Sequence, residues 1–177
     1  CIECRKYYPE FRVSINLSYV QILKSPLMME LKQMIEHSGI SCSGIIVELT
    51  ESGYLEGTPA VRSVWNDMKQ LRIQIALDDF GTGYSNLMNI SNLEPDIVKL
   101  DRGFTLKALS RSYEYQLMQY VIEMVHKLNQ YVCVEGVETK EDLEKIKALG
   151  PDLIQGYYYS KPCSRDEFLK KFFGYSE

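Results

Sequence analysis

Ile75-Ala76-Leu77-Asp78-Asp79-Phe80-Gly81-Thr82-Gly83-Tyr84-Ser85 sets two adjacent carboxylates after an apolar run and before a glycine-broken turn. Neighbouring aspartates at a strand end can bridge and flank a pair of divalent ions, the arrangement that clamps attacking and leaving oxygens in phosphoester cleavage. Other segments end in groups suited to the same chemistry: Asn16, Glu48, Lys99, Glu135 and Gln155, with Glu51 and Glu138 close behind. Acids crowded together raise one another's pKa, and divalent cations are the natural compensation. Oxygen donors and an amide, without a nearby Cys/His set, select a hard ion, Mg²⁺ or Mn²⁺. Lys99 is expected to supply a cation to a phosphate or to position an attacking water.

Each group also has a plainer reading. A Glu followed by Thr at a strand end caps a helix, Asp-Asp-Phe-Gly makes a turn, and Gly81-x-Gly83 alone is a weak phosphate signal. Joint placement at strand ends favours the functional reading. Tyr157, Tyr158 and Tyr159 fit base stacking or barrel packing.

Those groups need a scaffold that brings strand ends together. Strands are expected over Phe11–Ser18, Gly44–Ser52, Ile73–Leu77, Pro95–Asp101, Tyr131–Glu138 with its loop, and Leu153–Tyr157. A helix opens after Pro26 and stops at Ser38-Gly39, and Thr58-Pro59 starts another with Val61, Val64, Trp65, Met68 and Leu71 on one face. A short helix fits Tyr84–Ile90, and a long one Ser112–Leu128 with Leu117, Tyr120, Val121, Met124, Val125 and Leu128 as its apolar stripe. Thr139 and Ser164 cap the last two helices. Strands alternating with helices imply a parallel sheet covered on both faces. A polar group at every strand end favours a TIM-type (β/α) barrel over an open doubly wound sheet. About six of its eight units are present, so the α/β barrel is incomplete. Residues 1–177 read as a single domain.

Net charge is −4 and the pI about 5.3, which excludes a bulk basic field for long nucleic acid. No apolar run approaches the ~20 residues that span a bilayer. Five scattered cysteines are no disulfide framework and fit a reducing, cytoplasmic setting. Cys1-x-x-Cys4 has no second pair for zinc and is read as closing the end of a helix. The start, without methionine, reads as that of a fragment lacking its first two strand–helix units.

Ile15-Asn16-Leu17-Ser18, Val47-Glu48-Leu49-Thr50-Glu51-Ser52, Asp78-Asp79-Phe80-Gly81-Thr82-Gly83-Tyr84-Ser85, Val98-Lys99-Leu100-Asp101, Glu135-Gly136-Val137-Glu138 and Gln155-Gly156-Tyr157 stand in the order and spacing of the EAL-domain family. The resemblance covers essentially the whole chain. It implies bacterial second-messenger signalling: a TIM-type barrel with two Mg²⁺ or Mn²⁺ ions that linearises cyclic di-GMP to pGpG. Asn16, Glu48, Asp78 and Asp79 are then metal ligands, and Glu135 binds the second metal or its water. Lys99 orients the nucleophilic water, while Gln155, Asp101, Gly81, Thr82, Gly83 and Tyr84 serve the substrate. Glu51 braces the Gly81–Tyr84 loop and Glu138 supports the site.

The chain departs from the family in lacking the Glu-Ala-Leu segment, whose glutamate is a metal ligand and which precedes a substrate-contacting arginine. The resemblance therefore implies an active parent, with sensory or diguanylate cyclase modules upstream, and a fragment of little or no activity. Strand edges at Val13–Leu17 and Leu153–Gln155 invite self-association or a rearranged terminus, and outer helices offer a separate route to a homodimer. Two other readings remain: a non-catalytic cyclic di-GMP receptor, and an unrelated metal-dependent barrel enzyme such as an enolising lyase.

Overall fold

Six strands pair in sequence order, all parallel: β1 (Val13–Leu17), β2 (Ile45–Thr50), β3 (Gln74–Phe80), β4 (Ile97–Leu100), β5 (Tyr131–Glu135) and β6 (Leu153–Gln155). The computed structural model describes residues 1–24, 26–50, 59–82, 90 and 93–174. Before, between and after the strands run α1 (Ile2–Tyr7), α2 (Tyr19–Lys24), α3 (Leu27–Ser38), α4 (Pro59–Gln70), α5 (Arg102–Ser110), α6 (Ser112–Lys127), α7 (Lys140–Lys147) and α8 (Arg165–Phe173). The expected incomplete TIM-like barrel is what forms.

The pleat sorts the strand residues into two faces. Val47 and Leu49, Ile75 and Leu77, Val98 and Leu100, and Val132 and Val134 join the main core, with Trp65 and Met68 of α4 and Met118, Ile122 and Val125 of α6. The opposite, concave face carries a small apolar layer of Ile46, Ala76, Ile97 and Cys133. Two residues further along β2, β3, β4 and β5 stand Glu48, Asp78, Lys99 and Glu135. One face thus builds the core, and the other brings four charged groups to one level.

The entry ends of β4 and β6 share a Pro-Asp-apolar-apolar pattern, Pro95-Asp96-Ile97-Val98 and Pro151-Asp152-Leu153-Ile154. Asp96 Oδ2 accepts from Ile75 N at 2.8 Å while its own N–H donates to Ile75 O at 2.9 Å. Asp152 repeats this two strand pairs on, between β6 and β5: Oδ2 accepts from Val132 N at 2.7 Å, and its N–H donates to Val132 O at 3.1 Å. Each aspartate extends the ladder beyond the strand and fixes its register.

Helix ends follow their sequence signals. Gly39, in the left-handed region, ends α3, and full capping boxes open α7 at Thr139 and α8 at Ser164. Three helical expectations need correction. The buried row of α6 is Met118, Ile122 and Val125, while Leu117, Tyr120 and Leu128 are exposed. The expected stripe is rotated by one residue, about 100°, because apolar residues on α6 span more than one face. Cys1 and Cys4 lie at the start of α1, not the end: Cys1 is its N-cap and Cys4 is buried. Helices α2 and α5 are additions, α5 starting at Asp101, whose carboxylate accepts from Gly103 N. The helix expected at Tyr84–Ile90 lies, apart from Ile90, outside the described residues.

Among the described residues β1 and β6 do not pair with each other. The chain's two end helices meet instead, through a Glu3–Arg165 ion pair and rings of Tyr7 and Phe173 stacked 5.2 Å apart. No helix of the described residues is long and apolar enough to cross a membrane.

Candidate active site

Lys99 is the centre of the concave face. Its Nζ lies 2.7 Å from Glu48 Oε2, 3.0 Å from Asp78 Oδ1 and 2.7 Å from Glu135 Oε1. The lysine is 5% exposed and Glu48 7%, so water contributes little to either charge. Burial works to lower the Lys99 pKa, but hydrogen bonds and charge from Glu135, Glu48 and Asp78 overcome it and hold the ammonium well above an ordinary lysine. The Glu135 carboxyl is pushed up by burial, against the bond that Lys99 donates to it.

A backbone irregularity presents the aspartate pair. Register between β3 and β4 shifts between Leu77 and Phe80, and Asp79 adopts a φ of 60°. In a regular strand Asp78 and Asp79 would face opposite sides of the sheet; a bulge re-aims side chains, and aspartate tolerates the left-handed region better than most residues. Asp78 Oδ1 also accepts from Asp79 N at 3.0 Å. Burial, then the carboxylates of Asp78 and Asp101, push the Asp79 carboxyl up, while Lys99 pulls it down. All four charges therefore share one field. Gly81 follows at φ 103°, where a Cβ would lie 2.9 Å from the Phe104 ring, so glycine alone fits.

The exit of β5 is held from both sides. Arg102, first residue of α5, reaches over Gly136 to pair with Glu138 at 2.7 Å. Gly136 has φ 81°, and a Cβ there would stand 2.4 Å from Arg102 Cγ. On the other side Gly156 packs so closely on the Val137 peptide that a Cβ would meet Val137 O at 2.0 Å. Tyr158 N donates to Val137 O at 3.0 Å. Glu135 thus projects from a clamped backbone.

The remaining expected residues are placed as follows. Asn16 is exposed on β1 and pairs in register with Glu48, and Gln155 is exposed on β6 opposite Glu135. Asp101 caps α5 through Gly103 N at 2.7 Å and adds its charge to Asp79. Thr82 is exposed beyond Gly81. Glu138 turns to Arg102. Glu51, Gly83 and Tyr84 lie outside the described residues. Sequence reasoning missed Arg102 and Gly136; a cation and a glycine just past neighbouring strand ends were the available signal.

The donor chemistry fits a hard divalent ion: Glu48, Asp78, Asp79 and Glu135 offer only oxygen and outnumber the single lysine among them. Burial is also the chief cause that pushes the thiol beneath, Cys133, up to about 12. Among the described residues no three His, Cys, Asp or Glu groups are spaced as ligands of one ion; three carboxylates converge on Lys99 Nζ instead.

A family model described as the EAL domain matches residues 2–162. The chain is 32% identical over 160 residues to the cyclic di-GMP phosphodiesterase PdeF of Escherichia coli (strain K12), covering 90% of this chain and 21% of that protein. It therefore spans about a fifth of that relative's length. Among solved structures, the EAL enzyme Bd1971 in its cAMP- and cyclic-di-GMP-bound form matches with a TM-score of 0.88 at 29% identity, over 96% of this chain and 45% of that one. Klebsiella pneumoniae BlrP1, in a manganese and cyclic-di-GMP complex, matches with a TM-score of 0.82 at 25% identity, over 90% and 41%.

Proposed function

The chain belongs to the EAL domain family, and on that premise we propose that its lysine-centred mouth is the cleavage site of a metal-dependent cyclic di-GMP phosphodiesterase. The observation that carries this reading is the convergence of Glu48, Asp78 and Glu135 within 3.0 Å of Lys99 Nζ, at the C-terminal ends of parallel strands.

In this reading Glu48, Asp78, Asp79 and Glu135, with Asn16, hold Mg²⁺ or Mn²⁺. Two such ions supply positive charge to the phosphoryl oxygens and lower the pKa of bound water. Once a carboxylate turns from the ammonium to an ion, the N–H of Lys99 that it releases is free to orient the attacking water. Glu135 stands 2.7 Å from Lys99 Nζ and holds the water's proton as it is lost. The water oxygen bonds to phosphorus, one P–O3′ bond breaks, and the 3′ oxygen takes up a proton from solvent as Glu135 returns its own, so the ring opens to pGpG. Gln155 and the Gly81–Thr82 turn line the approach.

The 177 residues contain no Glu-Ala-Leu segment, so the proposal sets their own turnover below that of a domain carrying it. The test is incubation with cyclic di-GMP and Mn²⁺, read by anion-exchange chromatography, beside calorimetry in Ca²⁺. Metal-dependent binding with little or no appearance of pGpG is expected. Turnover equal to that of a domain carrying the segment overturns the missing-ligand reading, and failure to bind cyclic di-GMP overturns the cleavage-site reading altogether.

A further inference from the structure

Beside the lysine cluster lies a cavity of about 350 Å³ walled by Arg102, Glu135, Glu138, Gln155 and Tyr157. The charges in its rim are ordered. Arg102 Nη2 donates to Glu138 Oε1 at 2.7 Å, with side chains 60% and 39% exposed, so the pair offers a guanidinium edge and a carboxylate side by side to anything entering. Neither group reaches the Lys99 cluster, and an exposed pair of this kind adds at most about 1 kcal/mol to folding. Stability does not account for it, and the Arg102 stem is nevertheless fixed by its packing on Gly136.

We infer that the Arg102–Glu138 pair is a guanine-reading edge, which selects a guanine over an adenine nucleotide at this mouth. Guanine presents O6 as an acceptor next to the donors N1–H and N2–H. A carboxylate takes both donors, since its oxygens have lone pairs beyond the one Arg102 uses. The remaining guanidinium N–H groups meet O6, a recurrent partner of arginine. Adenine sets one amino donor beside the bare acceptor N1, which faces the second carboxylate oxygen as like against like. Tyr157, half exposed and with Lys161 Nζ 5.6 Å from its ring centroid, supplies an aromatic wall for the base. The same cavity touches Glu135 and Gln155, so a base seated there places its own phosphodiester toward Lys99.

This inference rests on the cyclic di-GMP reading and sharpens it to a base-selecting contact. The experiment is calorimetric titration of the chain in Ca²⁺ with cyclic di-GMP and with cyclic di-AMP, for wild type, Glu138→Gln and Arg102→Met. Wild type is expected to prefer the guanine ligand. Each variant should weaken cyclic di-GMP binding about ten- to a hundredfold, leave cyclic di-AMP nearly unmoved, and melt with the wild type. Wild-type binding that the variants do not change, or a loss equal for both ligands, overturns the guanine edge alone. A wild type that binds no cyclic di-GMP overturns the edge together with the reading beneath it.

Discussion

Lys99 Nζ stands 2.7 Å from Glu48 Oε2, and both side chains are more than nine-tenths buried. Lys99→Met therefore leaves a buried carboxylate without its cation, in the company of two more. Breaking such a pair from one side costs about 3–5 kcal/mol. Urea denaturation should show a loss of that size, and adding Glu48→Gln to Lys99→Met should return part of it. Additive losses in the double variant would count against the pairing.

Glu135 gives the pH dependence a sign. Its pKa is raised in the fold, chiefly by burial, so the folded chain binds this proton at a higher pH than the unfolded chain does. Stability from this group increases as pH falls from above the raised value toward the ordinary carboxylate range near ~4.3. Lys99, also raised, keeps its contribution below ~10.4 and loses it only as pH climbs through the higher folded value. In melts between ~pH 7 and ~pH 4.5, Glu135→Gln should lack the acid-side gain that wild type shows.

Gly136→Ala strikes a position at φ 81° already occupied by the Arg102 stem. A loss of about 1–3 kcal/mol is expected from backbone conformation alone. Gly150→Ala, with φ 74° and open space around it, serves as the control. It should carry the conformational cost without the collision. Equal losses in the two would remove the argument for contact.

Mn²⁺ should raise the melting temperature of wild type. At a concentration a hundred times the dissociation constant, binding to the fold alone stabilises by about 2.7 kcal/mol. Differential scanning fluorimetry of Asp78→Asn and Glu48→Gln should show that shift reduced or gone. A shift of undiminished size in both would place the ion elsewhere.

Ile15 and Leu153, each 37% exposed, lie on the edge strands β1 and β6, and Tyr120 is 66% exposed on α6. Self-association through the sheet edges or an outer helix is the expected consequence. Light scattering behind size exclusion separates the routes: Ile15→Lys should dissociate an edge-paired species, and Tyr120→Glu a helix-paired one.

Much of this architecture was legible in the residues, because the signals were local and repeated. A near-continuous apolar run marked β2, and Thr139 and Ser164 marked helix starts. Lys99, Glu48, Asp78 and Glu135 were readable as partners because each is a polar group at or near the end of an expected strand. Other features were set by tertiary contact. The apolar residues of α6 cover too much of its surface for periodicity to choose between Leu117 and Met118. The bulge that carries Asp79 is visible only once β4 lies beside β3. The bridge from Arg102 to Glu138 joins residues 36 positions apart, a separation at which sequence pattern is silent.

The aspartates at the strand entries have a consequence for the opposite rim. Asp96 and Asp152 stitch neighbouring strands by neutral amide donors, and neither bond involves the Lys99 cluster. At the exits, by contrast, β2, β3 and β5 are drawn together by a single ammonium. The assembly is hemmed at the base and laced at the collar. Charge can be rearranged at the collar while the hem still holds β3 to β4 and β5 to β6.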